Sequence, residues 1–249
     1  MPDPRFDTDE VFGPDYLHFA AAYLTEERAD DETAEILGQL DLPPGSSVLD
    51  APCGHGRIAN RLAAAGMVVT GLDLQAPFLR RAADHARSLG LPVTYLQGDL
   101  RHIPTTGPFD LVLCWFNSFG YFDDPDNQRV LEEFHRVLRP GGTVLIEALH
   151  HDGVVRHFTA DPDAVLTEVG DDAMVDLTVF DADTGRIETE RVIHRQGQVR
   201  RSHHAIRLPT PPEWRSWLGR AGFSDIQVTS RSGETLTLED WDLVVRATA

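Results

Sequence analysis

The chain has 249 residues, 41% of them hydrophobic, which suits one large domain with a sizeable core or one domain carrying an insertion. Its 40 acidic and 22 basic residues leave a net charge of −18, which disfavours nucleic acid as a partner; every basic residue is arginine, so neither a lysine-bearing Walker A loop nor a pyridoxal phosphate Schiff base can form. No apolar run approaches the ~20 residues of a membrane span, and Met1-Pro2-Asp3-Pro4 lacks the basic and apolar regions of a secretory leader, so a cytoplasmic location without a membrane partner is expected.

Residues 1–44 read as helical: Tyr16, Phe19, Tyr23 and Leu24 recur at helical spacing, as do Ile36, Leu37 and Leu40, until Pro43-Pro44-Gly45 breaks the pattern. Strands and helices then alternate. Strands are expected at Ser47–Asp50, Val68–Asp73, Val93–Gln97, Phe109–Trp115 and Thr143–Leu149, and helices at Arg57–Ala65, Ala76–Ser88 and Pro125–Leu138. Such alternation implies right-handed crossovers and a parallel, doubly wound α/β sheet. After His151 the pattern changes. Ala173–Phe180, Arg186–Ile193 and Val199–Leu208 read as strands joined by short turns, hence an antiparallel β cap over 152–208 inserted after strand five. Thr210-Pro211-Pro212-Glu213 opens a helix that Gly222 ends, and Phe223–Ser230 and Trp241–Arg246 supply two last strands. The body of the fold is therefore expected to comprise 45–151 and 209–249.

The most informative stretch is Val48-Leu49-Asp50-Ala51-Pro52-Cys53-Gly54-His55-Gly56-Arg57-Ile58-Ala59. A buried strand runs into a glycine turn and then a helix whose first amides point at a ligand. Gly54 and Gly56 let the backbone turn and approach that ligand closely. Dinucleotide-binding proteins share this spacing, but Asp50 would repel a pyrophosphate and would favour a ligand carrying an ammonium and a sulfonium. Asp73 ends the next strand ~20 residues on, where a carboxylate can accept both ribose hydroxyls. Asp99 follows the third strand, where an adenine amino group could be bound. Each acid alone could be an ordinary turn residue; three at the ends of successive parallel strands lie on the ligand edge of the sheet. Cys53 and Cys114 read as buried small apolar residues and not as nucleophiles.

These residues resemble the class I S-adenosylmethionine-dependent methyltransferases. Val48–Gly56 looks like their first motif, Gly71-Leu72-Asp73-Leu74 like their ribose-binding acid, and Gly98-Asp99-Leu100 like their adenine motif. Phe109–Cys114, Arg136–Gly142 and Ala221-Gly222-Phe223 resemble the fourth strand, the turn before the fifth and the start of the sixth, all in family order. The resemblance implies a Rossmann-like sheet of seven strands, the last antiparallel, with residues 1–44 as a helical lid. It also implies S-adenosyl-L-methionine as cofactor, held by Asp50, Ala51, Gly54, Gly56, Asp73, Leu74, Asp99 and Leu100, with Phe116 and Tyr16 over it.

Methyl transfer is an in-line displacement, so the protein must hold the acceptor close, aligned and, where needed, deprotonated. The loop Cys114–Phe122 resembles that of small-molecule N-methyltransferases, and in it Phe116–Phe119 are expected to line the pocket while Asn117 and Tyr121 orient a polar group. At the end of strand five His150 is the candidate base, with His151 on the opposite side; Glu147 is left open between pairing with an amine and a satisfied strand position. Adjacent strand residues diverge, so His150, His151, Asp152 and His157 are not expected to hold a metal. The expected activity is methylation of a nitrogen or oxygen on a small-molecule acceptor, with a homodimer left open. Two rivals stand beside it. A nicotinamide-dependent oxidoreductase is opposed by Asp50 and by the missing tyrosine–lysine pair, and a non-catalytic binding module would have had no reason to keep all three acids.

Overall fold

The computed structural model describes residues 11–158 and 162–249. Among the described residues two helices come first, α1 (Pro14–Ala20) and α2 (Glu26–Gly38), the latter capped by Thr25, whose hydroxyl accepts the Arg28 amide at 3.1 Å. The alternating part follows: β1 (Ser47–Asp50), α3 (Arg57–Ala64), β2 (Val68–Asp73), α4 (Ala76–Ser88), β3 (Thr94–Gln97), β4 (Phe109–Cys114), α5 (Asp124–Val137) and β5 (Leu138–Leu149). A short α6 (His151–Val155) leads to β6 (Asp163–Val169), β7 (Asp172–Asp181), β8 (Arg186–Arg195) and β9 (Gln198–Arg207); α7 (Pro211–Ala221), β10 (Ser224–Ser230) and β11 (Asp242–Thr248) complete the chain.

The main sheet has seven strands in the order β10-β11-β5-β4-β1-β2-β3, with β11 antiparallel to its neighbours. The central strands are buried on both faces, which is why they read as continuous apolar runs. Along β4, Leu111 and Leu113 pack towards Ile36 of α2, Leu62 of α3 and Leu79 of α4, while Val112 and Cys114 pack towards Phe134 of α5 and Trp214 of α7. Helices therefore cover both faces of a doubly wound sheet. Among the described residues no helix is long and apolar enough to cross a membrane.

The second sheet has four antiparallel strands, β6-β7-β8-β9, one more than the three read from sequence. The additional strand β6 is an edge strand with Val165 and Leu166 both exposed, so it shows no alternation of buried and exposed positions. β5 begins at Leu138, so α5 ends one residue early and the Pro140-Gly141-Gly142 turn falls inside the strand as a shift in its register with β4. The start of the helical segment read from 1–44, residues 1–10, lies outside the described residues.

Candidate active site

The chain turns sharply at the end of β1. Gly56 has φ +79°, and a Cβ there would meet the Tyr95 hydroxyl at 2.5 Å and the Ala82 Cβ at 2.7 Å, so only glycine lets α3 start this close to its neighbours. Asp50 is almost fully buried and its Oδ2 has no hydrogen-bond partner. Burial, with a smaller contribution from Asp73, pushes its carboxyl up to about 7, against a lowering by Arg57. Asp73 ends β2 and ties two loops together: its Oδ2 accepts the Gly54 amide and its Oδ1 the Gln75 amide, each at 2.8 Å. Burial raises its carboxyl and these backbone bonds oppose the rise. Asp99, after β3, differs. Burial alone would raise it, but Arg101, 2.7 Å away and also paired with Asp126, holds it below the usual carboxylate range.

The three carboxylates border one cavity, with about 1040 Å³ of space between its walls, part of it open to solvent. Gly54, Leu74, Leu100, Phe116, Tyr16 and Tyr121 line it as well. Ala51 and Gly56 shape it from behind: Ala51 is fully buried and its amide donates to the Leu113 carbonyl at 2.8 Å. Asn117 and His150 do not line it. The Asn117 side chain donates to Asp242 of β11. His150 is buried, and its Nδ1 lies 3.0 Å from the carbonyl of Asp240, which can only accept a proton. His151 opens α6 and pairs with Asp152 at 2.6 Å.

The outer wall is aromatic. Tyr16 of α1 stands edge-on to Phe12 (centroids 5.0 Å apart) and tilts over Phe78 of α4 at 5.7 Å, and Phe12 reaches Tyr121 at 5.8 Å. The Phe116 ring carries the Arg28 guanidinium 4.8 Å and the Arg57 guanidinium 4.9 Å from its centroid, and both arginines bond to buried Glu32. Burial keeps the Tyr16 and Tyr121 phenols protonated far above neutral pH. Behind them lies the cap, where Arg191 of β8 clasps Asp176 of β7 through two bonds of 2.7 and 2.8 Å, and its charge reaches Tyr16, Tyr23 and Tyr121. His204 of β9, in the same cluster, is pushed by burial down to about 4 and stays neutral.

Phe12, His55, Arg57, Gln75 and Phe78 line the cavity without having been singled out in the sequence. His55 and Arg57 stand inside the first motif and Gln75 two residues beyond Asp73, where the motif itself was the signal. Phe78 carried only the helical spacing of a core residue, and Phe12 had no signal.

Residues 48–142 match a family model described as a methyltransferase domain. A glycine/sarcosine N-methyltransferase of Halorhodospira halochloris is 30% identical over 135 residues, 53% of this chain and 50% of the relative. A ubiquinone biosynthesis O-methyltransferase of Klebsiella pneumoniae is 34% identical over 111 residues, 44% of this chain and 45% of the relative. The chain thus spans about half the length of the curated relatives it matches. Two solved structures share the fold almost end to end. An S-adenosylmethionine-dependent methyltransferase from Clostridium acetobutylicum superposes with a TM-score of 0.77 at 16% identity, covering 95% of this chain and 97% of that one. A SAM-bound amino pentose methyltransferase from Micromonospora echinaspora gives 0.66 at 19% identity, covering 93% and 94%.

Proposed function

We propose, from the premise that this chain carries an S-adenosylmethionine-dependent methyltransferase domain, that it transfers a methyl group to a nitrogen or oxygen of a small-molecule acceptor. The observation that carries this reading is the set of three carboxylates, Asp50, Asp73 and Asp99, at the ends of three strands around one cavity roofed by aromatic side chains. The residues fit the cofactor. Asp50 is a buried carboxylate that accepts the Ala59 amide and has an unpartnered Oδ2, which a cationic group would satisfy and hold ionised. The Asp73 carboxylate accepts the amides of Gly54, Leu74 and Gln75 and keeps acceptor capacity for a ribose hydroxyl. Asp99 and Leu100 would take the adenine edge, and Phe116 and Tyr16 would wall the sulfonium. Bound there, S-adenosylmethionine supplies a methyl group on a sulfonium, open to in-line attack.

The protein's own part is to bind, align and exclude water. Phe12 and Tyr16 narrow the mouth, which suits a small acceptor better than a macromolecular one. Tyr121 lines the cavity beside Tyr16, whose hydroxyl donates to Tyr23. Both tyrosines stay protonated, and His55, which also lines the cavity, is pushed by burial down to about 4, too low for an effective general base. The site is therefore suited to an acceptor that brings its own lone pair, a neutral amine nitrogen, ahead of a hydroxyl that needs a base. Calorimetry with S-adenosylhomocysteine and with NAD tests the core of the reading. Micromolar binding of the first, lost in Asp73→Ala and absent for NAD, is expected. A folded protein that binds NAD and not S-adenosylhomocysteine would overturn it.

A further inference from the structure

One buried carboxylate stands outside the cofactor set. Glu147 of β5 is 1% exposed, although it lies just beyond the last pairing of β5 with β4, Cys114 with Ile146. What it touches is backbone. Its Oε2 accepts the Asn117 amide at 2.9 Å, and the Phe116 amide bonds to it as well. Phe116 and Asn117 have φ of 65° and 53°, two consecutive non-glycine residues in the left-handed region, which side chains with a Cβ avoid. Successive amides held in such a turn converge and form a cradle for an anion. In many loops the anion is a ligand; here it is a side chain of the same chain.

We infer that Glu147 is a positioning residue: its carboxylate is the internal anion around which the loop after β4 folds, and it thereby sets the Phe116 ring in the wall of the cofactor cavity. The arrangement at Phe116 explains why the loop must be held so firmly. The ring sits beside the guanidiniums of Arg28 from α2 and Arg57 from α3, parallel to Tyr23 within 22° at 6.4 Å, so the cofactor loop, the helical lid and the β4 loop meet on one side chain. A ring carried on a relaxed loop would leave that junction. Asn117 contributes to the hold through its side chain, anchored on Asp242, and not as a group facing the acceptor.

The charged and titratable groups around Glu147 are Asp242 from β11, Arg231 after β10 with its Nη1 3.9 Å away, and the Cys114 thiol from β4. Arg231 is held in turn by Glu32 and Glu35 of α2, and Arg28 of α2 acts on Asp242. Burial first, then Asp242, raises the Glu147 carboxyl to about 7; Arg231 and the two amides oppose that rise. The cradle is therefore filled by an anion above pH 7 and by a neutral acid below it, and the amides should report the change.

The test is a pH titration, from 5.5 to 8.5, of the wild-type protein labelled with nitrogen-15 at phenylalanine and asparagine. The Phe116 and Asn117 amide protons should shift together with one midpoint near 7, and this step should be absent in Glu147→Gln. At pH 8, Glu147→Gln should bind S-adenosylhomocysteine at least tenfold more weakly while its melting temperature stays within a few degrees. A merely structural carboxylate would leave the affinity of the folded variant unchanged. Amides that do not move between pH 5.5 and 8.5 overturn the proposal, whether or not the variant folds. So does a folded Glu147→Gln whose affinity is within twofold of wild type. The affinity arm rests on the cofactor reading above and the amide arm does not: a wild type that binds no S-adenosylhomocysteine counts against that reading, and the amide titration still decides the role of Glu147.

Discussion

The cofactor edge and the cap hold their charges in opposite ways. At the edge, Asp73 and Glu147 are fixed by backbone amides, Asp50 takes one amide and leaves its Oδ2 without a partner, and of the four only Asp99 is clasped by an arginine, Arg101. In the cap, side chain meets side chain: Arg191 clasps Asp176 directly across the β7–β8 pairing. A carboxylate held by amides is defined by the path of the chain, so changing it moves a loop. A carboxylate held by an arginine is defined by another side chain, and the two can be replaced together. The N-terminal helices divide along the same line. Asp15 of α1 bonds to Arg195 and Arg200 of the cap, and Phe19 packs on Met174 and Ile193, whereas Glu32 of α2 bonds to Arg57 and Arg231 of the body. A segment that reads as one lid is therefore tied at its two ends to two different parts of the fold.

If that contrast holds, the largest effect should come from the edge. Asp73→Ala removes the acceptor of two loop amides and of the ribose together, and S-adenosylhomocysteine affinity should fall by more than about a hundredfold in calorimetry. A drop of less than tenfold would mean that the loops keep their shape without the carboxylate. The cap should answer in stability instead. Arg191→Leu leaves Asp176 unpaired in a mostly buried place, and denaturant unfolding should show a loss of about 2 kcal/mol, reduced from the fully buried case because both side chains keep some exposure. Affinity for S-adenosylhomocysteine should stay within twofold. A tenfold change in the folded variant would erase the distinction between the two regions.

The same contrast decides what was legible in the sequence. Asp50, Gly54, Asp73 and Asp99 were readable because each stands at a strand end next to its own turn, within a few residues of the backbone that uses it. The doubly wound sheet followed from the alternation of strand and helix, and its seven strands with the last antiparallel from the family resemblance. The cap was readable as hairpins, but β6 was not, since exposed Val165 and Leu166 hide the period of a strand. The meeting of Tyr16, Tyr121 and Arg191 depends on antiparallel register and on contacts between residues far apart in the chain, and no local pattern encodes it. Glu147 was ambiguous for a related reason: its partners are amides of the neighbouring strand's loop, and amides are invisible in a sequence.

A smaller effect should appear with pH. A ligand ammonium, which S-adenosylmethionine and S-adenosylhomocysteine share, needs Asp50 ionised, and the Asp50 carboxyl sits at about 7 in the free protein. At pH 6 most molecules must release a proton on binding, so affinity for S-adenosylhomocysteine should be about tenfold weaker at pH 6 than at pH 8. The proton release should be visible as a dependence of the binding heat on buffer. Stability of the free protein should carry the opposite sign. A raised carboxyl favours folding while it is protonated and loses that advantage as the pH climbs from its unfolded value through about 7, so Asp50→Asn should gain stability at pH 8 and not at pH 5. A pH-independent affinity in wild type would place the ligand's positive charge away from Asp50.

The smallest effect concerns His150, and it separates position in sequence from position in space. It ends the strand that runs to the ligand edge, yet its ring donates to the Asp240 carbonyl and its amide to the Trp241 carbonyl at 2.9 Å, pinning the end of β5 to the segment before β11. His150→Ala removes one buried hydrogen bond and a modest volume, so thermal unfolding should register a loss of about 1 kcal/mol. Affinity for S-adenosylhomocysteine, and turnover once an acceptor is in hand, should be unchanged per folded molecule. A thousandfold loss of turnover in a folded variant would instead require the ring to leave Asp240 and swing into the cavity when the acceptor binds, and β5 would then carry the base that the wall of tyrosines lacks.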